Sequence, residues 1–266
     1  MQTLNYNLKR EIGAILTISY RDFTKLMRDK FRLLAGLIFP FLFIGILGTS
    51  LNSSIGGSLD FNFLAFIFIG VFAQSLFQSS AAGVISLIQD RENDFSQELF
   101  VAPVSRYSII LGKIIGETLV SYTSGFGILL LGLIIGIDFT ILQLIFVIIA
   151  GFIACLFGGA FGVLVLANLS SQRTVQQVFP FILFPQIFLS GVFNPIDNLP
   201  LPLMILSRIA PLTYVVDLMR HAYYGFMPPA RAVIFSLKTD IIIVSVLFSM
   251  FLVVGTLLFV RREKNR

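Results

Sequence analysis

The chain has 266 residues, 56% of them hydrophobic and only 12% charged, with a mean hydropathy of +0.92. A soluble domain carries about 25% charged residues, so this balance excludes an ordinary water-soluble fold and points to one helical bundle in lipid, with no length for a second soluble domain. The net charge of +5 does not imply nucleic acid, because the basic residues gather at the two ends: Lys9, Arg10, Arg21, Lys25, Arg28, Lys30 and Arg32, then Arg261, Arg262, Lys264 and Arg266.

Residues 10–31 come first. Ile12, Ile15, Leu16, Tyr20, Phe23, Leu26, Met27 and Phe31 recur at helical spacing, with Glu11, Arg21, Asp22, Lys25, Arg28 and Asp29 on the other side. This predicts an amphipathic helix lying in the cytoplasmic interface. Because residues 1–32 are polar or amphipathic, no secretory leader is expected. Six apolar runs follow, at about 33–51, 61–88, 107–136, 140–168, 177–193 and 239–260, each near the roughly 20 residues needed to cross hydrocarbon. Six crossings return a basic C-terminus to the side of the basic N-terminus. The links 52–60 and 137–139 hold no Lys or Arg, as expected of outside loops. The expected fold is therefore an all-α integral membrane protein, a single transmembrane domain over residues 1–266, with both termini cytoplasmic.

Small residues stripe the spans: Ser75, Ser79, Gly83 and Ser86; Gly112 and Gly116; Ala154, Gly158 and Gly162. Such rows let helices approach closely in lipid and are read as packing. With 29 Phe and no Trp, any interfacial aromatic belt must come from Tyr and Phe. Cys155 is the sole cysteine, so no disulfide forms within the chain.

The loop 89–106 carries Asp90, Glu92, Asp94 and Glu98 against Arg91 and Arg106. An acidic excess on an inside loop is unusual. Asp94–Leu99 can form a short helix with Phe95, Leu99 and Phe100 on one side, stopped by Ala102-Pro103. From composition alone that is a solvated connector or, given the acidic excess and aromatic edge, a docking element for a soluble partner. Asp90-Arg91-Glu92, Glu98-Leu99, Pro103-Val104-Ser105-Arg106 and Leu111-Gly112-Lys113 together resemble the cytoplasmic motif of ABC-2-type permeases. The resemblance implies a coupling helix seated in a groove of an ATP-binding subunit, with Asp90, Arg91, Glu92, Phe95, Glu98, Leu99, Phe100 and Pro103 as its coupling residues. Lys113 and Glu117, four apart, are expected to pair near the interface.

Between the fifth and last runs the chain is rich in proline. Leu201–Ile209 and Leu212–Tyr223 are apolar but too short to span, and within 194–236 they read as re-entrant half-helices dipping into the outer leaflet. Leu189-Ser190-Gly191, Asn194-Pro195, Asn198-Leu199-Pro200 and Pro211-Leu212-Thr213-Tyr214, with Asp217 and Arg220, resemble the signature of drug-export permeases of the ABC-2 class. The resemblance implies an extracellular gate built from Ser190, Gly191, Asn194, Pro195, Leu199, Pro200, Pro211, Tyr214, Asp217 and Arg220. Asp217 and Arg220 are three apart and can bond across a helix face, with Arg208 helping to hold the gate shut. His221, the only histidine, has no Cys or His neighbour and is not expected to bind metal. Gln74, Gln78 and Gln186 are candidates for touching substrate, or for helix-to-helix hydrogen bonds.

Gly112-Lys113 is followed by Ile114 and no glycine stands five residues earlier, so the phosphate-cradling loop of an ATPase is absent. The resemblance implies that ATP and magnesium belong to two partner ATPase subunits. It also implies a second permease subunit, identical or related, and outward movement of an amphipathic drug-like, lipid-like or glycoconjugate substrate across the plasma or inner membrane. An ion-coupled secondary transporter is the alternative. It calls for ionisable residues at mid-membrane, whereas Glu117, Asp138 and Asp240 fall near span ends. An intramembrane enzyme would need a constellation that one His outside the spans does not supply.

Overall fold

In the computed structural model, residues 2–50, 61–92, 104–166, 169, 171–196, 199–225, 228–229 and 231–264 are described, and every regular element among them is helical. In chain order these are α1 (Gln2–Met27), α2 (Lys30–Leu42) running into a π-helical turn (Phe43–Gly48), α3 (Phe63–Gly83), α4 (Ser86–Glu92), α5 (Arg106–Ile135), α6 (Ile141–Leu166), α7 (Gln172–Leu189), α8 (Leu201–Ile209), α9 (Pro211–Tyr224) and α10 (Leu237–Lys264). Their starts follow the local chemistry. Asn62, Ser105 and Ser171 each accept a hydrogen bond from the backbone N–H three residues on, at 3.1, 3.1 and 3.2 Å. Gly136, at φ 91°, closes α5 in the left-handed conformation that glycine adopts without strain.

Four stretches are long and apolar enough to cross a membrane: Phe63–Asp90, Arg106–Ile135, Ile141–Leu166 and Leu237–Arg261. A fifth is added if α8 and α9, bent by 82°, count as one. The expected crossings at 33–51 and 177–193 are helical but shorter or more polar. Pro40 removes an N–H from α2, and the chain changes to a π turn three residues later. Helix α7 is 18 residues long, opens on Gln172 and Arg173, and contains Pro180 and Pro185. The amphipathic N-terminal helix starts earlier than expected and ends at Met27. The coupling loop also differs at its start, since Asp90, Arg91 and Glu92 are helical in α4. The expected short helix at 94–99 lies outside the described residues.

Helix α3 is the centre of the bundle: 78% of its membrane window is buried, against 22% for α10. Apolar surface gives no drive for association within lipid, so close backbone contact must hold the helices together. A Cβ on Gly158 would lie 2.3 Å from the Phe77 carbonyl oxygen, and one on Gly162 would lie 2.5 Å from that of Ala81. Helices α3 and α6 therefore touch backbone to backbone, and the Phe77 ring meets Phe157 and Phe161 at centroid distances of 5.9 and 5.4 Å. Gly112 and Gly116 form the seat on α5 where α1 crosses, against Ile15, Ile18 and Ser19. Ile12, Leu16 and Tyr20 on the other side of α1 remain exposed.

Replacing Gly162 by valine should cost roughly 1–3 kcal/mol through overpacking. Gly13→Ala, where nothing lies within 4 Å of the new methyl, should be neutral or stabilise by about 0.5–1 kcal/mol. Thermal unfolding midpoints in detergent check both, and an unchanged midpoint for Gly162→Val would contradict the backbone contact.

Candidate functional site

At one end of the bundle four charged side chains meet. The Lys113 ammonium is wholly buried, with Asp22 at 2.8 Å and Asp90 also in contact. Arg21, partly exposed, donates to Asp22 and to Asp90, both at 3.0 Å. Two cations and two anions make the group neutral, which a low-dielectric surrounding demands. The Ser19 hydroxyl bridges the same helices by donating to the Gly112 carbonyl at 2.8 Å. Three segments distant in sequence, α1, α4 and the start of α5, are thereby joined. Lys113 does not pair with Glu117 as its spacing suggested. The partners on α1 and α4 lie closer than a neighbour along α5, whose order was the unfavourable one. Glu117 is buried instead against α4, accepting from the Ser86 hydroxyl at 3.2 Å. Its carboxylate occupies the space where a Gly83 side chain would be, 1.8 Å from the ideal Cβ position.

Glu11 closes the same end. Its carboxylate accepts the Ser105 backbone N–H at 3.1 and 3.0 Å, and hydrogen bonding to Ser108 and then Ser105 lowers its pKa below the usual carboxylate value. Of the other coupling residues, Arg91 and Glu92 lie on α4, while Phe95, Glu98, Leu99, Phe100 and Pro103 lie outside the described residues.

The second cluster is built around the bend between α8 and α9. Breaking a helix at Ala210 leaves the last carbonyls of α8 short of intrahelical donors. Pro211, as first residue of α9, needs no donor of its own. Thr213 and Tyr214 then point their hydroxyls back, donating to the carbonyls of Ser207 and Arg208, each at 2.6 Å. The run Pro211-Leu212-Thr213-Tyr214 is thus a device for stabilising a sharp bend. The segment after α7 packs beneath it. Gly191 adopts φ 72°, Val192 crosses Gly70 of α3 so closely that a Cβ there would lie 2.6 Å from its carbonyl, and Ser190, Pro195 and Ile196 are buried. Asn194 and Pro200 are exposed, and Leu199 is intermediate, its N–H donating to the Ile196 carbonyl at 2.9 Å.

Asp217 and Arg220 are both buried but do not bond to each other. The Arg220 guanidinium donates to the Gly191 carbonyl at 2.5 Å and stacks over Phe66 at 3.5 Å from the ring centroid. Asp217 accepts the backbone N–H groups of Ile234 and Phe235, at 2.9 and 2.8 Å, just before α10 begins. Each therefore ties α9 to a different segment, because both neighbouring segments offer orphan backbone groups. Arg208 joins neither; its side chain is exposed and leans on Met204. His221 Nε2 is 2.9 Å from the Phe235 carbonyl and 3.6 Å from Asp240. Among the described residues, Asp217, His221 and Asp240 are the group whose donor atoms converge within 4.8 Å.

Gln74 and Gln78 bond to one another along α3, and the Gln186 amide donates to the Ile182 carbonyl of its own helix at 3.1 Å. None of the three makes a bond between helices among the contacts described. An apolar cavity of about 120 Å³ lies between α3, α5 and α6, walled by Phe72, Leu76, Tyr122, Phe126 and Leu133. Sequence reasoning found Asp90 but missed Arg21 and Lys113 as its partners and Asp22 as the second anion they hold. The available signal was Lys113 itself, a cation at the start of an apolar run that had to find anions.

The family profile described as ABC-2 type transporter matches residues 13–224. The chain is 27% identical over 216 residues to a protein designated transport permease ycf38 of Cyanophora paradoxa, covering 80% of this chain and 74% of that protein. It is also 27% identical over 195 residues to the inner membrane transport permease YadH of Escherichia coli K12, covering 69% and 72% respectively.

Lys113→Met leaves two buried carboxylates against Arg21 alone and should destabilise by about 3–5 kcal/mol; adding Asp90→Asn, which restores one cation against one anion, should recover most of it. A double variant no more stable than the single one in thermal unfolding would refute the neutral cluster. Because Glu11 has a lowered pKa in the fold, its contribution is present above the ordinary carboxylate pKa and is lost as pH falls through the lowered value. Glu11→Gln should flatten the acid-side fall of the unfolding midpoint, and identical slopes would contradict this role.

Proposed function

The chain belongs to the ABC-2 type transporter family, and from that premise we propose that it is the membrane-spanning permease of an ATP-driven exporter. The permease works as a pair, identical or related, with two copies of a separate ATP-binding subunit that holds ATP and magnesium. Helix α2 with its π turn and helix α7 supply two shorter crossings beside the four long ones, giving six spans with both termini cytoplasmic. Helix α1 lies in the interface, its exposed Ile12, Leu16 and Tyr20 in contact with lipid. The substrate is an amphipathic molecule, drug-like, lipid-like or a glycoconjugate, moved outward across the plasma or inner membrane.

The observation that carries this reading is the neutral charge cluster at the foot of the bundle. Asp90 lies in the last turn of α4, just before the rest of the coupling segment, and it is held to Lys113 of α5 and Arg21 of α1. A push on residues 93–103 by the closing ATPase is transmitted through these ion pairs, so α1, α4 and α5 tilt together. At the opposite end α8 and α9, with Gly191 locked under Arg220, act as the gate that this tilt opens.

The tagged chain, purified in mild detergent, should bring a soluble ATPase with it in stoichiometric amount. Glu98→Arg combined with Phe100→Ala should release that ATPase while the permease stays inserted and dimeric. Glu98→Arg alone should lower stimulation of ATP hydrolysis at least several-fold. A chain that purifies alone, or transport unchanged by Glu98→Arg, would overturn the coupling assignment.

A further inference from the structure

We propose that Asp217, His221 and Asp240 form a binding site for a divalent transition-metal cation, of the Zn²⁺ class, that fastens α9 to the first turn of α10. Asp240 is wholly buried, and no N–H or O–H donates to its carboxylate oxygens, whose polar neighbours are the Asp217 carboxyl and His221 Nε2. A carboxylate buried in that way is costly unless a positive charge meets it. The cations and hydroxyls nearest in the fold are engaged elsewhere. Arg220 holds the Gly191 carbonyl and the Phe66 ring, and the Tyr214 hydroxyl holds the Arg208 carbonyl. His221 Nε2 faces Asp240 at 3.6 Å, and one donor atom from each of Asp217, His221 and Asp240 falls within 4.8 Å of the others.

The donor chemistry is that of a metal centre. One imidazole nitrogen and two carboxylates suit Zn²⁺ or a neighbouring first-row ion better than Mg²⁺ or Ca²⁺, which prefer all-oxygen sets. Metal-to-ligand lengths of about 2.0–2.2 Å put tetrahedral donors about 3.4 Å apart, so the group needs to contract by little more than about 1 Å. Asp240 can supply that movement because no N–H or O–H donates to its oxygens. Asp217 is oriented in advance by the amides of Ile234 and Phe235, which leave a lone pair on Oδ1. The Phe235 carbonyl, which accepts from Nε2 at 2.9 Å, is a fourth donor atom at the site. Binding would move the ring proton from Nε2 to Nδ1, exchanging that hydrogen bond for a metal bond.

The test uses the full chain with an affinity tag that contains no histidine, since His221 is the chain's only one. The protein is stripped with a chelator in detergent and titrated with ZnCl₂ by calorimetry and by unfolding midpoint. One equivalent of Zn²⁺ per chain, with a saturable rise in midpoint, is expected. His221→Gln and Asp240→Asn should each weaken binding by roughly tenfold or more; His221→Gln suffices if Asp240→Asn does not fold. Zn²⁺ binding that is absent, or unchanged in His221→Gln, would overturn the site. A midpoint that tracks pH but ignores Zn²⁺ would assign the neutralising charge to a proton and overturn it equally.

Discussion

A buried polar group has no water to complete a hydrogen bond or screen a charge, and that constraint organises both ends of this molecule. At one end it gathers Lys113, Asp22, Asp90 and Arg21 into a neutral group. At the other it turns the hydroxyls of Thr213 and Tyr214 toward the carbonyls released by the bend at Ala210. In both clusters the buried groups are answered by another segment of the same chain. The polar residues consequently do the work of connecting helices that a hydrophobic core does in water.

The same constraint explains why glycine matters along α3, α5 and α6. Dispersion forces act over a few ångströms, so helices that gain nothing from hiding apolar surface must come into backbone contact to gain anything. Gly158 and Gly162 permit this against Phe77 and Ala81, and Gly112 and Gly116 permit it for α1. The bundle is thus built of rigid pairs, α3 with α6 and α1 with α5. The ion pairs of Asp90 reach from α4 to the second of these.

Much of this was legible from residue order alone. The long apolar runs became α3, α5, α6 and α10 within a few residues, and the two short runs at 201–209 and 212–223 became α8 and α9. Periodicity and length carry that information directly. Partner choice was not legible. Lys113 has an acid four residues away yet binds Asp90, 23 residues back, and Asp22 on another helix. Asp217 and Arg220 sit at bonding distance along α9 yet reach outward to separate segments. A spacing rule sees only one helix, whereas the choice is made by whichever backbone group or charge packing leaves unanswered. The gathering of Asp240 with His221 was hidden for the same reason, since it needs the return of α10 to α9. The signature run Pro211-Leu212-Thr213-Tyr214 was recognised as a pattern, but its purpose became clear only with the 82° angle in view.

Glu117 fills the space vacated by the missing side chain of Gly83. Two positions on different helices therefore share one volume, and neither can change freely while the other stays. Alanine at 83 forces the Glu117 carboxylate to swing out of its present place, and loss of the carboxylate at 117 leaves space that a larger residue at 83 would refill. Across related sequences the two sites should drift as a pair, glycine with glutamate or a bigger residue with a smaller one. Their covariation would record this contact wherever the fold is kept.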